Sequence, residues 1–141
     1  MRYEFPVELT REDDGSVTVA FDGLPGTTWG ATEAEALRQA ADALVTVLST
    51  YVSDNEPVPR PKPAHGRPLV SVNALEAAKL GLHDAMLATG MSNLNLAQRL
   101  GTDETAVQRL RDPLRRSHIG TVEAALAVLG RRLAVDVSEA A

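Results

Sequence analysis

A proline-rich segment in the middle of the chain constrains the possible folds more than any other feature. The stretch SDNEPVPRPKPAHGRP, residues 53–68, holds five of the eight prolines. Proline fixes φ and has no amide hydrogen, so this stretch cannot form a helix or a central strand and is expected to be extended. The sequence therefore predicts two modules: residues 1–72, which include this segment, and residues 73–141.

Apolar and polar side chains alternate in the first module. Residues 3–9 and 17–21 have this period of two and predict a β-hairpin, and residues 27–30 are suited to a short third strand. Residues 69–72, after the prolines, are expected to return to the sheet as its last strand.

The period changes to that of a helix over residues 32–52. Apolar side chains recur there at helical spacing, which predicts a stripe that packs on the sheet. Thr32 is the expected N-cap, with Glu35 reaching back to the Thr32 amide. The chain is thus predicted to be α+β, with an antiparallel sheet and one packed helix in its first module.

The second module is predicted to be helical. Residues 133–137, LAVDV, alternate again and predict a short terminal strand. Because no other strand is predicted in this module, this strand is expected to pair with a second copy of the chain in a homodimer or tetramer. The predicted helices run from about Asn73 to Gly90, from about 93 to 100, from about 103 to 111, and from about 122 to 129 behind Thr121.

The stretch LAQRLGTDETAVQRL, residues 96–110, has the pattern of a helix-turn-helix unit. Gly101 suits the turn, and the residues around it have the spacing that two crossing helices need. An ordinary helical hairpin is the alternative, because these residue types are common. The expected core positions are Leu96, Ala97, Leu100, Val107 and Leu110.

The outer face of the second of these helices is predicted to bind DNA. Arg109 suits guanine, Gln108 adenine, and Glu104 the amino group of cytosine in the major groove. Arginines at and beyond the helix end are expected to contact phosphates, with a solvated basic loop as the alternative. The predicted DNA-binding residues are Thr102, Glu104, Thr105, Gln108, Arg109, Arg111, Arg115 and Arg116.

Charge is distributed unevenly along the chain. Residues 1–64 hold five basic side chains and eleven acidic ones, a net charge of -6, whereas residues 85–132 hold seven arginines and four acids, a net charge of +3. The whole chain has a net charge of -5. This asymmetry indicates two modules with different partners.

Several classes of protein and site are excluded or disfavoured. The chain has no cysteine, so disulfides and thiolate metal sites are excluded. No apolar stretch is long enough to span a bilayer and no secretory signal is apparent, so we expect a cytoplasmic protein. His65, His83 and His118 are scattered and adjoin no nucleophile pattern. No catalytic residue, metal or cofactor is therefore predicted.

The chain resembles a known family along essentially its whole length. The pattern RYEFPVELTREDDGSVTVAFDGLPGTTWGATEAEAL, residues 2–37, is similar to that of HicB antitoxins, the inhibitory halves of bacterial toxin–antitoxin pairs. SDNEPVPRP followed by a helix-turn-helix resembles the HicB subgroup with such a C-terminal domain. Many relatives have Phe-Pro-Asp-Leu-Pro-Gly where this chain has FDGLPG, residues 21–26, with one proline fewer.

The resemblance implies a fold and two partners. The first module would be a partial ribonuclease H-like sheet without its catalytic carboxylates, and it would bind and mask a small HicA-type toxin that cleaves messenger RNA. The second module would bind operator DNA and repress the shared operon. Phe21, Leu24 and Trp29 are the predicted toxin-binding residues, with a role in capping the core as the alternative for Trp29.

Two other functions are open from the sequence. One is a stand-alone transcriptional regulator whose first module senses a small molecule. The other is an active nuclease, which needs carboxylates that converge on two metal ions. The acids in and near the sheet are Glu4, Glu8, Asp22 and Asp42, and their positions favour solvated charges over a metal cluster.

Overall fold

The computed structural model describes residues 1–139 and contains a four-stranded antiparallel sheet in its first half. The strands are β1 (Glu4–Arg11), β2 (Val17–Phe21), β3 (Thr27–Gly30) and β4 (Leu69–Ser71). Their order in the sheet is β3-β2-β1-β4, so the chain returns to the hairpin edge after the prolines. The predicted hairpin, third strand and returning strand are all confirmed.

The helix α1 (Glu33–Ser53) covers one face of this sheet. Alternate residues of β1 and β2, among them Phe5, Val7 and Val19, point into the core that α1 closes. β3 lies very close to the start of α1. Gly30 permits this approach, because a Cβ there would collide with the backbone amide of Ala36.

Side-chain caps begin α1 and the next helix. Thr32 Oγ1 accepts a hydrogen bond of 3.2 Å from the Glu35 amide, which confirms Thr32 as the N-cap. The return bond differs from the expectation, because Glu35 accepts from the amide of Ala31 rather than from that of Thr32. At the start of α2 (Ala74–Thr89), Asn73 and Glu76 bond each other's amides in a complete capping box.

The proline-rich segment lies against the first module. Val58 is buried in the sheet–helix core, and the Pro68 carbonyl accepts a hydrogen bond of 3.0 Å from the Val7 amide. Arg67 bonds the carboxylates of Glu8 and Asp22 and the carbonyl of Pro63. The segment is therefore a packed strap and part of the first module.

Four helices form the second core. α2 is followed by α3 (Asn93–Leu100), α4 (Glu104–Arg111) and α5 (Ile119–Val128). α2 belongs to both halves of the molecule, since Leu80 is buried in the first core and Leu82 in the second. The boundary after residue 72 remains a prediction, because α2 joins the two cores.

Two expectations for the second module are wrong in detail. α5 begins at Ile119, earlier than expected, and its N-cap His118 makes no side-chain capping bond.

Residues 133–137 have no regular secondary structure in this single chain. A strand needs a neighbour that pairs with its backbone, and no described strand is hydrogen-bonded to the backbone of this tail, which is tied to the start of the chain by the ion pair of Asp136 with Arg2 at 3.2 Å. None of the helices in the described part of the chain has the length and hydropathy of a membrane span.

Candidate DNA-binding surface and partner surface

A tight turn at residues 101–103 joins α3 to α4. Gly101 ends α3 in the left-handed conformation, with φ of 69°, which favours glycine. Asp103 is the N-cap of α4, and its Oδ1 accepts a hydrogen bond of 2.8 Å from the Ala106 amide. The acid at this helix start thus satisfies a free amide and suits the positive end of the helix dipole.

The contact between α3 and α4 is made by the residues that the sequence predicts. Leu96, Ala97 and Val107 are fully buried, and Leu110 is 6% exposed. Ala97 has no side chain beyond Cβ, so the second helix can cross closely at this position. The two short helices consequently form one packed unit on α2 and α5.

Most of the predicted DNA-binding side chains lie on the surface. Gln108 and Arg109 are exposed on α4, and Arg115 and Arg116 are exposed in the loop after it. Thr102, Glu104 and Thr105 are exposed around the start of α4. The residues from 102 to 116 thus offer hydrogen-bonding and cationic groups outside the packed core.

The loop that carries Arg115 and Arg116 is held by local hydrogen bonds. Asp112 Oδ1 accepts a hydrogen bond of 2.9 Å from the Leu114 amide, and the Asp112 carbonyl accepts one of 3.1 Å from the Arg115 amide. Arg115 Nε also lies 3.9 Å from Asp112 Oδ2. Because both side chains of this ion pair are exposed, it contributes little to stability and leaves Arg115 able to bind an anion.

Arg111 differs from the other predicted DNA-binding residues because its side chain is buried. Only 8% of this residue is exposed. Its guanidinium donates hydrogen bonds to Asn93 Oδ1 at 2.7 Å and to Asn55 Oδ1 at 2.8 Å. In this structure Arg111 is an interior residue that links α4 to α3 and to the end of α1, and it offers no surface to a phosphate.

The ring of His83 is part of the same buried group. Arg111 donates to His83 Nδ1 at 2.6 Å, so Nδ1 must accept, and Nε2 therefore carries the hydrogen that bonds the Glu56 carbonyl at 2.6 Å. Burial is the main cause that lowers the pKa of His83; the hydrogen bond to the Glu56 carbonyl opposes it, the charge of Arg111 lowers the pKa further, and Asp84 has the smallest effect, in the opposite direction. The geometry and the pKa shift both assign a neutral ring.

The three predicted toxin-binding residues lie in different environments. Phe21 and Leu24 are each 8% exposed and belong to the sheet–helix core. Trp29 is 65% exposed on β3, the edge strand. Of the three, Trp29 alone offers a large apolar surface to a partner.

Trp29 lies on the face of the sheet that α1 leaves open. The strand register places it beside Thr18 of β2, which in turn pairs with Thr10 of β1. Carboxylates flank this row, since Thr18 donates to Glu12 at 3.0 Å, and Glu8, whose carboxylate also pairs with Arg67 at 3.1 Å, is exposed on the same face of β1. An indole beside threonines and carboxylates is suited to a cationic partner with some apolar surface.

The acids weighed as nuclease ligands do not converge. Asp22 is paired with Arg67 at 2.8 Å and with Lys62 at 3.1 Å, and these bonds lower its pKa. Asp42 is exposed on α1, on the other side of the sheet from Glu8. Within residues 1–139, no three His, Asp or Glu side chains have the grouping that holds a metal ion.

Buried charged residues that the sequence did not predict lie behind the surface. Lys79 is fully buried, and its Nζ bonds carbonyls at the end of α4. A signal was present, because Lys79 follows Leu75 by four residues and therefore falls on the apolar stripe of α2. A lysine at such a position indicates a buried acceptor, although the sequence does not identify it.

The chain is similar in sequence to a known family of proteins. The sequence model of the family described as HicB-like antitoxin of bacterial toxin–antitoxin system matches residues 4–81. Antitoxin HicB of Pseudomonas fluorescens (strain Pf0-1) is 38% identical over 141 residues, covering 98% of this chain and 96% of the relative. Antitoxin HicB of Escherichia coli (strain K12) is 34% identical over 137 residues, covering 96% of this chain and 98% of the relative.

A further relative, Antitoxin HicB 1 of Photorhabdus laumondii, is 34% identical over 138 residues, covering 97% of this chain and 87% of the relative. The similarity to these proteins thus extends beyond the sheet and α1 into the second module. The family match itself covers more than half of the chain. This chain therefore belongs to the HicB-like antitoxins of bacterial toxin–antitoxin systems.

Proposed function

We propose that this antitoxin binds and masks a small HicA-type toxin that cleaves messenger RNA, and that it represses its own operon by binding operator DNA. The proposal rests on the observation that the two modules present two chemically different surfaces. An acidic first module presents Trp29 on an open sheet face, and the second module presents Gln108, Arg109, Arg115 and Arg116. We further infer that the sheet with α1 is a partial ribonuclease H-like fold, in accord with the family resemblance.

The second module acts as a helix-turn-helix unit in this proposal. The start of α4 enters the major groove, where Thr102, Glu104 and Thr105 lie closest to the bases. Gln108 and Arg109 have the donors and acceptors that read adenine and guanine. Arg115 and Arg116 contact phosphates, which fix the register of the protein on the duplex. Arg111 supports this surface from the interior.

The first module provides the toxin-binding surface. Its charge is strongly negative, which accelerates encounter with a cationic protein and repels the RNA that would compete for it. Trp29 supplies the apolar anchor, since exposed tryptophans in interfaces often dominate the binding free energy. Phe21 and Leu24 act indirectly, by packing beneath the turn that precedes β3.

The tail after α5 provides a contact between two copies of the chain. Helix-turn-helix proteins bind paired half-sites as dimers. Val135 is 69% exposed and Val137 is 91% exposed, and with Leu133 they alternate as a strand would. An unpaired segment of this pattern is suited to pairing with its own symmetry mate.

Two assays on the full chain test the proposal. Binding to its own promoter is compared with binding to a scrambled duplex of equal length, at low and at physiological salt. The adjoining small reading frame is co-expressed and scored for growth inhibition, rescue by this chain and co-purification. A chain that shows no preference for its promoter and neither rescues growth nor co-purifies would overturn the proposal.

The alternatives give different results in the same experiments. A stand-alone regulator would prefer its promoter but would have no adjoining small basic reading frame. A nuclease would cleave an RNA–DNA hybrid in the presence of Mn²⁺. Cleavage that depends on the metal would exclude a purely inhibitory role.

A further inference from the structure

Lys79 lies in the middle of α2 and is fully buried. Its ammonium nitrogen is 2.8 Å from the carbonyl oxygen of Arg109, 3.1 Å from that of Asp112 and 2.6 Å from that of Arg115. An ammonium has three hydrogens to donate, and each has an acceptor here. The site is therefore complete without any carboxylate or water.

These three carbonyls lie at and just after the end of a helix, where a nearby cation stabilises the backbone. The last turn of a helix leaves carbonyl oxygens without partners and carries the negative end of the helix dipole. Arg109 belongs to the last turn of α4, and Asp112 and Arg115 belong to the loop that follows it. Lys79 thus ties the helix end and the loop to one point on α2.

The tied backbone carries two of the proposed DNA contacts. The side chains of Arg109 and Arg115 project to the surface while their own carbonyls bond Lys79. Arg116 follows directly in the chain, so its position depends on the same anchor. We propose that Lys79 is a positioning residue of the DNA-binding surface, which holds the base-reading end of α4 and the phosphate-binding loop in fixed relation to each other. This inference rests on the DNA-binding half of the proposed function.

The proposal differs from a merely stabilising role in what it predicts for binding. Substituting a residue that only stabilises the fold lowers the fraction of folded, active protein. The molecules that remain folded make the same phosphate contacts as the wild type. Substituting a residue that positions the loop changes the number of phosphates that each folded molecule contacts. This number sets the dependence of affinity on salt. The salt dependence therefore separates the two roles.

Lys79→Met is the appropriate variant, because it keeps an unbranched chain of similar length and removes the three donors. We expect its affinity for the promoter to fall about tenfold or more, and the slope of log affinity against log salt to become shallower by about one phosphate contact. Val122→Ala is the control, since Val122 is equally buried in the same core but lies on α5. The control should retain the wild-type slope. Wild-type affinity and slope in Lys79→Met would overturn the proposal.

A measurement on the unaltered protein covers the case in which Lys79→Met does not fold. The chain has two lysines, Lys62 and Lys79. Lys62 is largely exposed in its ion pair with Asp22, so it serves as an internal reference. An amine-acylating reagent should label Lys62 in the native protein and label Lys79 only after unfolding. Equal labelling of the two lysines in native protein would overturn the proposal.

The two proposals fail in different ways. If the wild type does not prefer its promoter, DNA repression is overturned while the protection of Lys79 is unaffected. If the wild type binds its promoter and Lys79→Met binds it equally well, repression stands and the positioning role is overturned.

Discussion

The hydroxyl of Tyr3 donates a hydrogen bond of 2.8 Å to Asp84 Oδ2, which joins the residue before β1 to α2. The other oxygen of the same carboxylate accepts a hydrogen bond of 3.1 Å from the Val58 amide in the proline-rich strap. One side chain of α2 therefore holds both the start of the first module and its proline-rich strap. Through it, the fold of the sheet is coupled to the helices of the second module.

We expect Tyr3→Phe to lower the free energy of unfolding by about 1 kcal/mol, the usual contribution of one hydrogen bond. The loss is moderate because Asp84 keeps the Val58 amide as a partner. Urea denaturation measures it, and Tyr51→Phe is the matched control on α1. An equal effect of both substitutions would contradict the importance of the contact with Asp84.

Because of the same contact, the free energy of unfolding should depend on pH in the alkaline range. Burial, and then the Asp84 carboxylate, raise the pKa of Tyr3 far above its ordinary value of 10.0. The folded state thus favours the neutral phenol, so this contribution is complete below pH 10 and is lost as the pH rises further. The stability difference between wild type and Tyr3→Phe should shrink above that pH.

Because of His83, the free energy of unfolding should depend on pH in the mildly acidic range. Its pKa is lowered in the folded state, so its contribution is complete above the ordinary pKa of 6.5 and is lost as the pH falls below that value. The cation that faces the ring is Arg111, and the nearby anion is Asp84. Denaturation between about pH 7.5 and 5.5 should show this fall, and His83→Gln should flatten it. The prediction fails if the two profiles are parallel.

Local features of the fold were predictable from the sequence because neighbours in the chain determine them. The alternation of β1 and β2, the cap pair Asn73 and Glu76, and the turn at Gly101 are examples. The position of Arg111 was not predictable, because Asn55, which accepts its hydrogen bond, is 56 residues away. An arginine next to exposed arginines has no local signal that it is buried.

The start of α5 and the state of the tail were unpredictable for other physical reasons. His118 provides no side-chain cap, so no sequence signal marks the helix start, whereas Thr121 resembles a cap but lies inside the first turn. The tail has the alternation of a strand, but a strand forms only beside a pairing edge. For the candidate site, the sequence predicted the exposed residues of α4 and missed Lys79 behind them.

The arginines of the second module should separate into two classes in DNA binding. Arg109→Ala should cost about 1–3 kcal/mol on the preferred sequence and relax base preference. Arg115→Ala or Arg116→Ala should weaken binding to all sequences and reduce the salt slope by about one. Arg38→Ala, an exposed arginine on α1, is the control. Unchanged affinity in all three variants would count against DNA binding by this surface.

Trp29→Ala should weaken toxin binding at least about thirtyfold, because an exposed indole at an interface commonly contributes about 2 kcal/mol or more. The fold should be unaffected, since Trp29 is 65% exposed. Calorimetric titration with the product of the adjoining reading frame measures the change. Leu94→Ala, which removes a 53% exposed side chain of α3, is the control. Equal affinities of Trp29→Ala and the wild type would exclude this face as the anchor.

The exposed valines of the tail should control self-association. Val135 and Val137 lie on the alternating apolar side of residues 133–137, so Val135→Asp with Val137→Asp would place two like charges where the tails of two copies would meet. We expect this variant to be monomeric in light scattering, at concentrations where the wild type is dimeric, and to bind paired half-sites more weakly. Ser138→Asp is the control, since it adds a charge outside the apolar set. A dimeric double variant, or a monomeric wild type, would exclude the tail as the contact between copies.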